Sequence, residues 1–216
     1  MRSRKKVMGM LVIAGACILA LAGCGEETAE EPIRTSTIVL SADGSFTQCR
    51  VESFDREDYQ LSELESMIRQ EVADYVGMAS AQAPEGGQAV AVEQVGVLEE
   101  DHSQVMVALH FADSEIYGDY MTEVDQQSSE LFYGTVEEAI AEGYDLAGVL
   151  QDAKKETAVT AEQLGKIGDR LVLIFEEPLQ IRCPSKALYI SGNVSLTEAG
   201  YVDGTGGEGL KYVVIK

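Results

Sequence analysis

The amino-acid sequence predicts an α+β fold, a single domain of mostly antiparallel sheet built from hairpins with a few amphipathic helices. Three observations carry that prediction. Alternating, β-branched segments come in pairs joined by turn residues. Helical spacing of apolar residues is confined to a few segments, and three of these open on a Ser/Thr-x-x-Glu/Gln capping box. Strand pairs and helices come in blocks, without the regular βαβ alternation of a doubly wound sheet.

Thr35 to Leu40 and Phe46 to Phe54 alternate on either side of the turn Ala42-Asp-Gly-Ser45, which predicts a hairpin. Ser62-Glu-Leu-Glu65 has the form of a capping box, and Leu61, Leu64, Ile68, Val72, Tyr75 and Val76 recur at helical spacing, so a helix is expected from about Ser62 to Ala79. Ala81 to Gln88 contains Pro84-Glu-Gly-Gly87 and reads as a loop. Ala89 to Leu98 and Gln104 to Phe111 form a second strand pair, with Val105, Val107, Leu109 and Phe111 facing the helix.

Asp113 to Met121 reads as a short helix, and Leu131 to Tyr133 as a brief apolar run. Thr135-Val-Glu-Glu138 and Thr160-Ala-Glu-Gln163 open two further helices, expected to stop at Gly143 and Gly168. Tyr144 to Lys155 has no clear period. Four strand-like stretches complete the chain: Leu171 to Phe175, Leu179 to Cys183, Ala187 to Leu196 and Leu210 to Ile215, with a glycine-rich connection from Gly200 to Gly209.

The N-terminus carries a different signal. Arg2, Arg4, Lys5 and Lys6 precede the uncharged apolar run Val7 to Ala20, and Leu21-Ala22-Gly23-Cys24 follows directly. This arrangement resembles the lipobox of bacterial prolipoproteins. The resemblance implies that residues 1–23 are a signal peptide and that Cys24 becomes a lipidated N-terminus. The anchor would hold the protein on the extracytoplasmic face of the cell membrane without a span. Two acyl chains make a stable anchor, each buried methylene contributing about 0.8 kcal/mol. Residues 24–33 hold four glutamates and no large apolar residue before Ile33, as expected of an acidic tether, and residues 34–216 form the expected ectodomain. In style the ectodomain resembles uncharacterised small lipoproteins of Gram-positive-type bacteria, a likeness that carries no motif and transfers no functional residue.

The whole chain has a formal net charge of −21, and removal of the leader takes away four basic side chains. Such a surface argues against nucleic acid, which is bound by Lys and Arg neutralising phosphates, and against a polybasic membrane contact. The expected partners are the membrane, through the lipid, and a protein or cell-wall component. Cys49, on a face with Thr47 and Val51, and Cys183, on a face with Leu179 and Ile181, are both expected to point into a core. In an oxidising compartment they either pair, for about 4–5 kcal/mol from chain entropy, or remain separate buried thiols.

Catalytic chemistry has little support. His102 and His110 have no second histidine spaced to make a metal or cofactor site, and Asp203-Gly-Thr-Gly-Gly-Glu-Gly209 lacks the Lys-Ser/Thr ending and helix of a phosphate cradle. The mature chain has no nucleophile motif. Tyr117, Tyr120, Phe132, Tyr133 and Tyr144 cluster mid-chain beside several acids and are the stretch expected to offer a binding face. The leading expectation is a non-enzymatic binding or accessory role at the cell envelope. The alternatives are an envelope hydrolase with a carboxylate pair and a small solute-binding receptor. Labelled palmitate fed to expressing cells should enter the wild type, and Cys24→Ala should abolish its incorporation.

Overall fold

A computed structural model describes residues 31–78, 88–124, 126 and 130–216. The leader, Cys24 and most of the tether lie outside these residues, as does nearly all of the expected loop at 81–88. The chain divides into two compact units, Met1–Pro32 and Ile33–Lys216. Within the second, the fold is α+β in a single domain: four helices and twelve strands among the described residues, the strands in two mostly antiparallel sheets.

The first hairpin is β1 (Thr37–Leu40) and β2 (Phe46–Ser53). Its turn closes as an Asx turn: the Asp43 carboxylate accepts from Ser45 N at 3.1 Å and Ser45 Oγ at 2.7 Å, and Gly44 takes φ +94°. The same chemistry joins β3 (Val90–Val97) to β4 (Gln104–Phe111), through Asp101 and Ser103. Hydrogen bonds from the following Ser hold both aspartates below the usual carboxylate range. Between the hairpins runs α1 (Leu61–Gly77), and after the second comes α2 (Ser114–Glu123), capped by Asp113 accepting from Ile116 N.

The expected capping box at Ser62 does not form. Helix α1 begins at Leu61, one residue before Ser62, and its cap residue, Gln60, makes no side-chain bond. The two later boxes do form. Thr135 caps α3 (Val136–Ala141) and Thr160 caps α4 (Ala161–Leu164), each with the reciprocal bond from Glu138 or Gln163. Helix α4 is shorter than expected and ends at Gly165.

The remaining strands are β5 (Leu131–Thr135), β6 (Leu150–Asp152), β7 (Leu171–Phe175), β8 (Gln180–Arg182), β9 (Ala187–Ser191), β10 (Ser195–Leu196), β11 (Val202–Asp203) and β12 (Lys211–Ile215). The stretch expected as one strand from Ala187 to Leu196 breaks at Gly192-Asn193 and sends its two halves to different sheets. The seven-stranded sheet runs β10-β11-β8-β1-β2-β4-β3, with β8 parallel to β1. Its outer strands are β10, two residues long, and β3, whose register shifts between Val92 and Gln94. The five-stranded sheet runs β5-β7-β12-β9-β6, wholly antiparallel.

Alternation along the strands decides what each face buries. Ile38, Leu40, Phe46, Leu109 and Phe111 from the larger sheet join Leu173, Phe175, Val213 and Ile215 from the smaller one in a single core that also takes Val72 and Tyr75 of α1. The opposite face of the smaller sheet (Val172, Ile174, Val214) packs with Val136 and Ala139 of α3, Leu146 and Leu164 in a second cluster. Strand β12 is central and all five of its residues are buried. That includes Lys211, whose Nζ donates to the carbonyls of Glu176 at 2.7 Å and Gly209 at 3.4 Å. Burial pulls its pKa below the ordinary lysine value.

The glycine-rich connection is part of this packing. Asn193 Nδ2 donates to the carbonyls of Glu208 and Leu210, at 3.0 Å each. A Cβ on Gly204 would lie 2.8 Å from two ring carbons of Phe175 and 3.0 Å from Leu179 O, whereas one on Gly206 would meet nothing within 4 Å. Gly204→Ala should therefore cost about 1–3 kcal/mol by overpacking, and Gly206→Ala far less. Urea midpoints of the two variants, measured side by side, check this.

Candidate functional site

The residues expected to form a binding face are instead distributed through the interior. Tyr117, Tyr120 and Tyr133 belong to the larger core, while Phe132 lies in the second cluster with Tyr144 packed against it. Phe132 and Tyr133 are adjacent on β5 and so point to opposite faces of its sheet. Their rings are buried as apolar bodies, and the hydroxyls find partners. Tyr133 Oη donates to Ser41 O at 2.7 Å, and Tyr144 Oη to Glu130. Tyr117 Oη accepts from Gln48 Nε2 at 3.1 Å and donates to Glu177 Oε1 at 3.2 Å.

The cysteines do not share a core face either. Cys49 is paired with Thr37 across the β1–β2 ladder, so it faces away from Ile38 and Phe46. Cys183 follows Arg182 at the end of β8 and packs against the larger core. The two thiols therefore project from opposite faces of one sheet. Strand β1 also lies between them, a lateral gap of about 10 Å against a Cα–Cα limit of about 7 Å for a disulfide. Both are free, and burial pushes each thiol up to about 12.

The histidines stay apart. His102 is exposed at the β3–β4 turn, and His110 lies on β4 with Nδ1 4.0 Å from Glu93 Oε1. Among the described residues no group of three or more His, Cys, Asp or Glu side chains is placed to hold a metal ion. No described helix is long and apolar enough to cross a membrane.

What the structure does form is a cleft of about 510 Å³ between α1 and the seven-stranded sheet. Its origin lies in how the helix is fastened. At the C-terminal end of α1, Tyr75 is fully buried, donates to Ile116 O at 3.3 Å and stands edge-on to Tyr120 with centroids 5.1 Å apart. Toward the N-terminal end Leu64 and Ile68 are only half-buried and Met67 is 52% exposed. The helix is thus pinned at one end and stands off the sheet at the other.

The sheet below is also thinner there. Strand β1 pairs with β2 only as far as Cys49, so Arg50 to Ser53 have β4 as their sole ladder partner. The floor of the cleft is Val105, Val107 and Leu109 on β4, facing α1 as expected. Leu64, Met67 and Ile68 form the roof, Met121 the inner wall, and the loop carrying Phe54 and Tyr59 the outer one. At the inner end Arg50 lies 3.9 Å from Glu177, with its Nη2 3.5 Å from Met121 Sδ. Gln48, bonded to Tyr117, is 3% exposed, so the polar wall is preorganised by the buried aromatic ring.

Of the five residues expected to form a binding face, Tyr120 and no other lines this cleft. A readable signal lay in β2, where the positions on Phe46's face turn polar at Gln48, Arg50 and Glu52 while the matching positions on β4 stay apolar. Such a mismatch marks a stretch of sheet with incomplete cover. The chain matches no protein-family model, no curated protein and no solved structure.

Buried Cys49 and Tyr75 and half-buried Cys183 set an alkaline limit on stability. Cys49, Cys183 and Tyr75 keep their protons up to about pH 12 in the fold, through burial, whereas the unfolded chain releases them from about pH 9 upward. In that window the unfolded state binds fewer protons, so raising the pH favours unfolding. Urea midpoints should hold steady up to about pH 8 and fall progressively toward pH 12. Iodoacetamide at pH 8 should leave native Cys49 unmodified, react slowly with half-buried Cys183 and label both in denaturant.

Proposed function

We infer that this chain is a lipid-anchored binding protein of the extracytoplasmic face, and that the cleft between α1 and the seven-stranded sheet is where it binds. The observation that carries the reading is the cleft itself: an apolar floor and roof, open at one end, closed at the other by a fixed polar wall. Binding sites are concave, largely apolar and equipped with a few positioned polar groups. Membrane attachment rests on the Leu21-to-Cys24 lipobox resemblance and on the basic and apolar segments before it.

Binding is favoured over acid–base chemistry by where the perturbed carboxyls lie. Asp43, Asp101, Asp152, Asp203 and Glu138 are all held low by hydrogen bonds from neighbouring Ser, Thr or backbone groups. They sit at turns and at a helix cap, away from the cleft, and do the work of local structure. A hydrolase would instead need a carboxyl with a raised pKa facing substrate.

The test is a neutral, environment-sensitive dye. Nile red should brighten on binding the ectodomain, and Val107→Trp, which fills the floor of the cleft, should weaken its binding about tenfold or more, a loss of about 1.4 kcal/mol. The urea midpoint of the variant should not fall, since the substitution occupies space that is already empty. Equal dye binding by both proteins would remove the cleft as the site.

A further inference from the structure

We propose that the occupant of the cleft is a basic amphipathic segment of a partner protein, its apolar side chains seated between α1 and β4 and its lysines or arginines held at the mouth. This rests on the cleft being a binding site, as argued above, and adds what it binds.

Charge at the mouth carries the argument. Glu52 on β2 and Glu63 on α1 both line the opening, both are exposed, and neither has an ion-pair partner among the described residues. Asp58 lines the outer wall as well, where it is paired with Arg56. The basic residues nearby are already engaged: Arg50 lies 3.9 Å from Glu177, Arg56 3.3 Å from Asp58, and Arg69 2.9 Å from Glu65 one helical turn away. Glu52 and Glu63 therefore set uncompensated negative charge beside an apolar interior, on a chain of formal net charge −21. An anionic or neutral amphiphile would leave that charge unmet, and an amphipathic cation complements it.

The reach of the apolar surface favours a polypeptide over a small cation. The lining does not end at the mouth but continues onto Tyr59, 42% exposed, and Met67, 52% exposed. An occupant that covers both must extend beyond the enclosed volume, as an amphipathic segment laid along a groove does. Met67 and Met121, on opposite sides of the cleft, supply unbranched side chains that adapt to such a surface. The Arg56 guanidinium lies 5.2 Å from the centre of the Tyr59 ring and 3.3 Å from Asp58, tying the outer loop together beside the opening.

The experiment is fluorescence anisotropy with the ectodomain and three probes, two labelled peptides and one unlabelled competitor. These are a short amphipathic peptide of leucine and lysine, the same pattern in leucine and glutamine, and dodecyltrimethylammonium below its micelle concentration, read by competition. The leucine–lysine peptide should bind best, and more weakly as salt rises. Glu52→Gln with Glu63→Gln should weaken it about fivefold to tenfold and weaken the leucine–glutamine peptide far less. Val107→Trp, which keeps every charge, should abolish its binding and so exclude attraction to the acidic surface at large. Equal affinity for the leucine–lysine and leucine–glutamine peptides would overturn the basic partner but leave the apolar cleft standing. Tighter binding of the alkylammonium than of the peptide would overturn the polypeptide occupant. Failure of all three probes together with Nile red would remove the cleft reading itself.

Discussion

Tyr117 stands edge-on to both Phe46 and Phe111, with centroids 5.7 and 5.1 Å away, and its hydroxyl joins Gln48 of β2 to Glu177 beyond β7. Phe111 in turn meets Tyr120, and Tyr120 meets Tyr75 of α1. Such pairs contribute about 0.5–1.5 kcal/mol each beyond the area they bury. More important is what they connect. Through this run of rings one buried side chain of α2 fixes the position of β2, β4, α1 and the turn after β7. The rest of the molecule is arranged around that constraint.

The cleft follows from where the rings stop. They lie at the end of the sheet where β1 still pairs and where the two sheets share a core, so α1 is held most tightly there. Farther along, the helix-facing positions of β2 are Arg50 and Glu52, which do not give up their hydration for contact with Leu64 and Ile68. The first two turns of the helix consequently cover the sheet only partly, with Leu64 and Ile68 half-buried. Rigid anchoring at one end and loose cover at the other is an economical way for a small domain to keep an apolar recess.

Much of the architecture was legible in the sequence. The alternation of Val105, Val107, Leu109 and Phe111 placed β4 and its inner face, and Thr135 and Thr160 announced their helices because cap chemistry is local. Ser62 offered the same signal and was passed over, since the Gln60 carbonyl already accepts from both Glu63 N and Leu64 N. The parallel pairing of β1 with β8 brings residues together from opposite ends of the chain, and no local pattern reports that. Cys49 and Cys183 each showed strand periodicity, but periodicity says nothing of which face of a shared sheet is the inner one. The tyrosines misled for a related reason. Closeness in sequence suggested a surface, whereas Phe132 and Tyr133, being neighbours on a strand, had to part company across the sheet. The cleft required knowing where β1 ends relative to β2, a tertiary fact that leaves only the faint trace of polar residues at 50 and 52.

The two rims of the seven-stranded sheet bear on how such a protein behaves in a crowd. An unfinished ladder invites another chain to complete it. Here one rim is a strand of two residues, and the other is thrown out of register at Glu93. Neither gives a neighbour a straight run of peptide groups to zip onto. On the lipid-anchored reading proposed above, molecules tethered side by side would collide far more often than the same number free in solution, and a blunted rim would oppose strand-by-strand association among them.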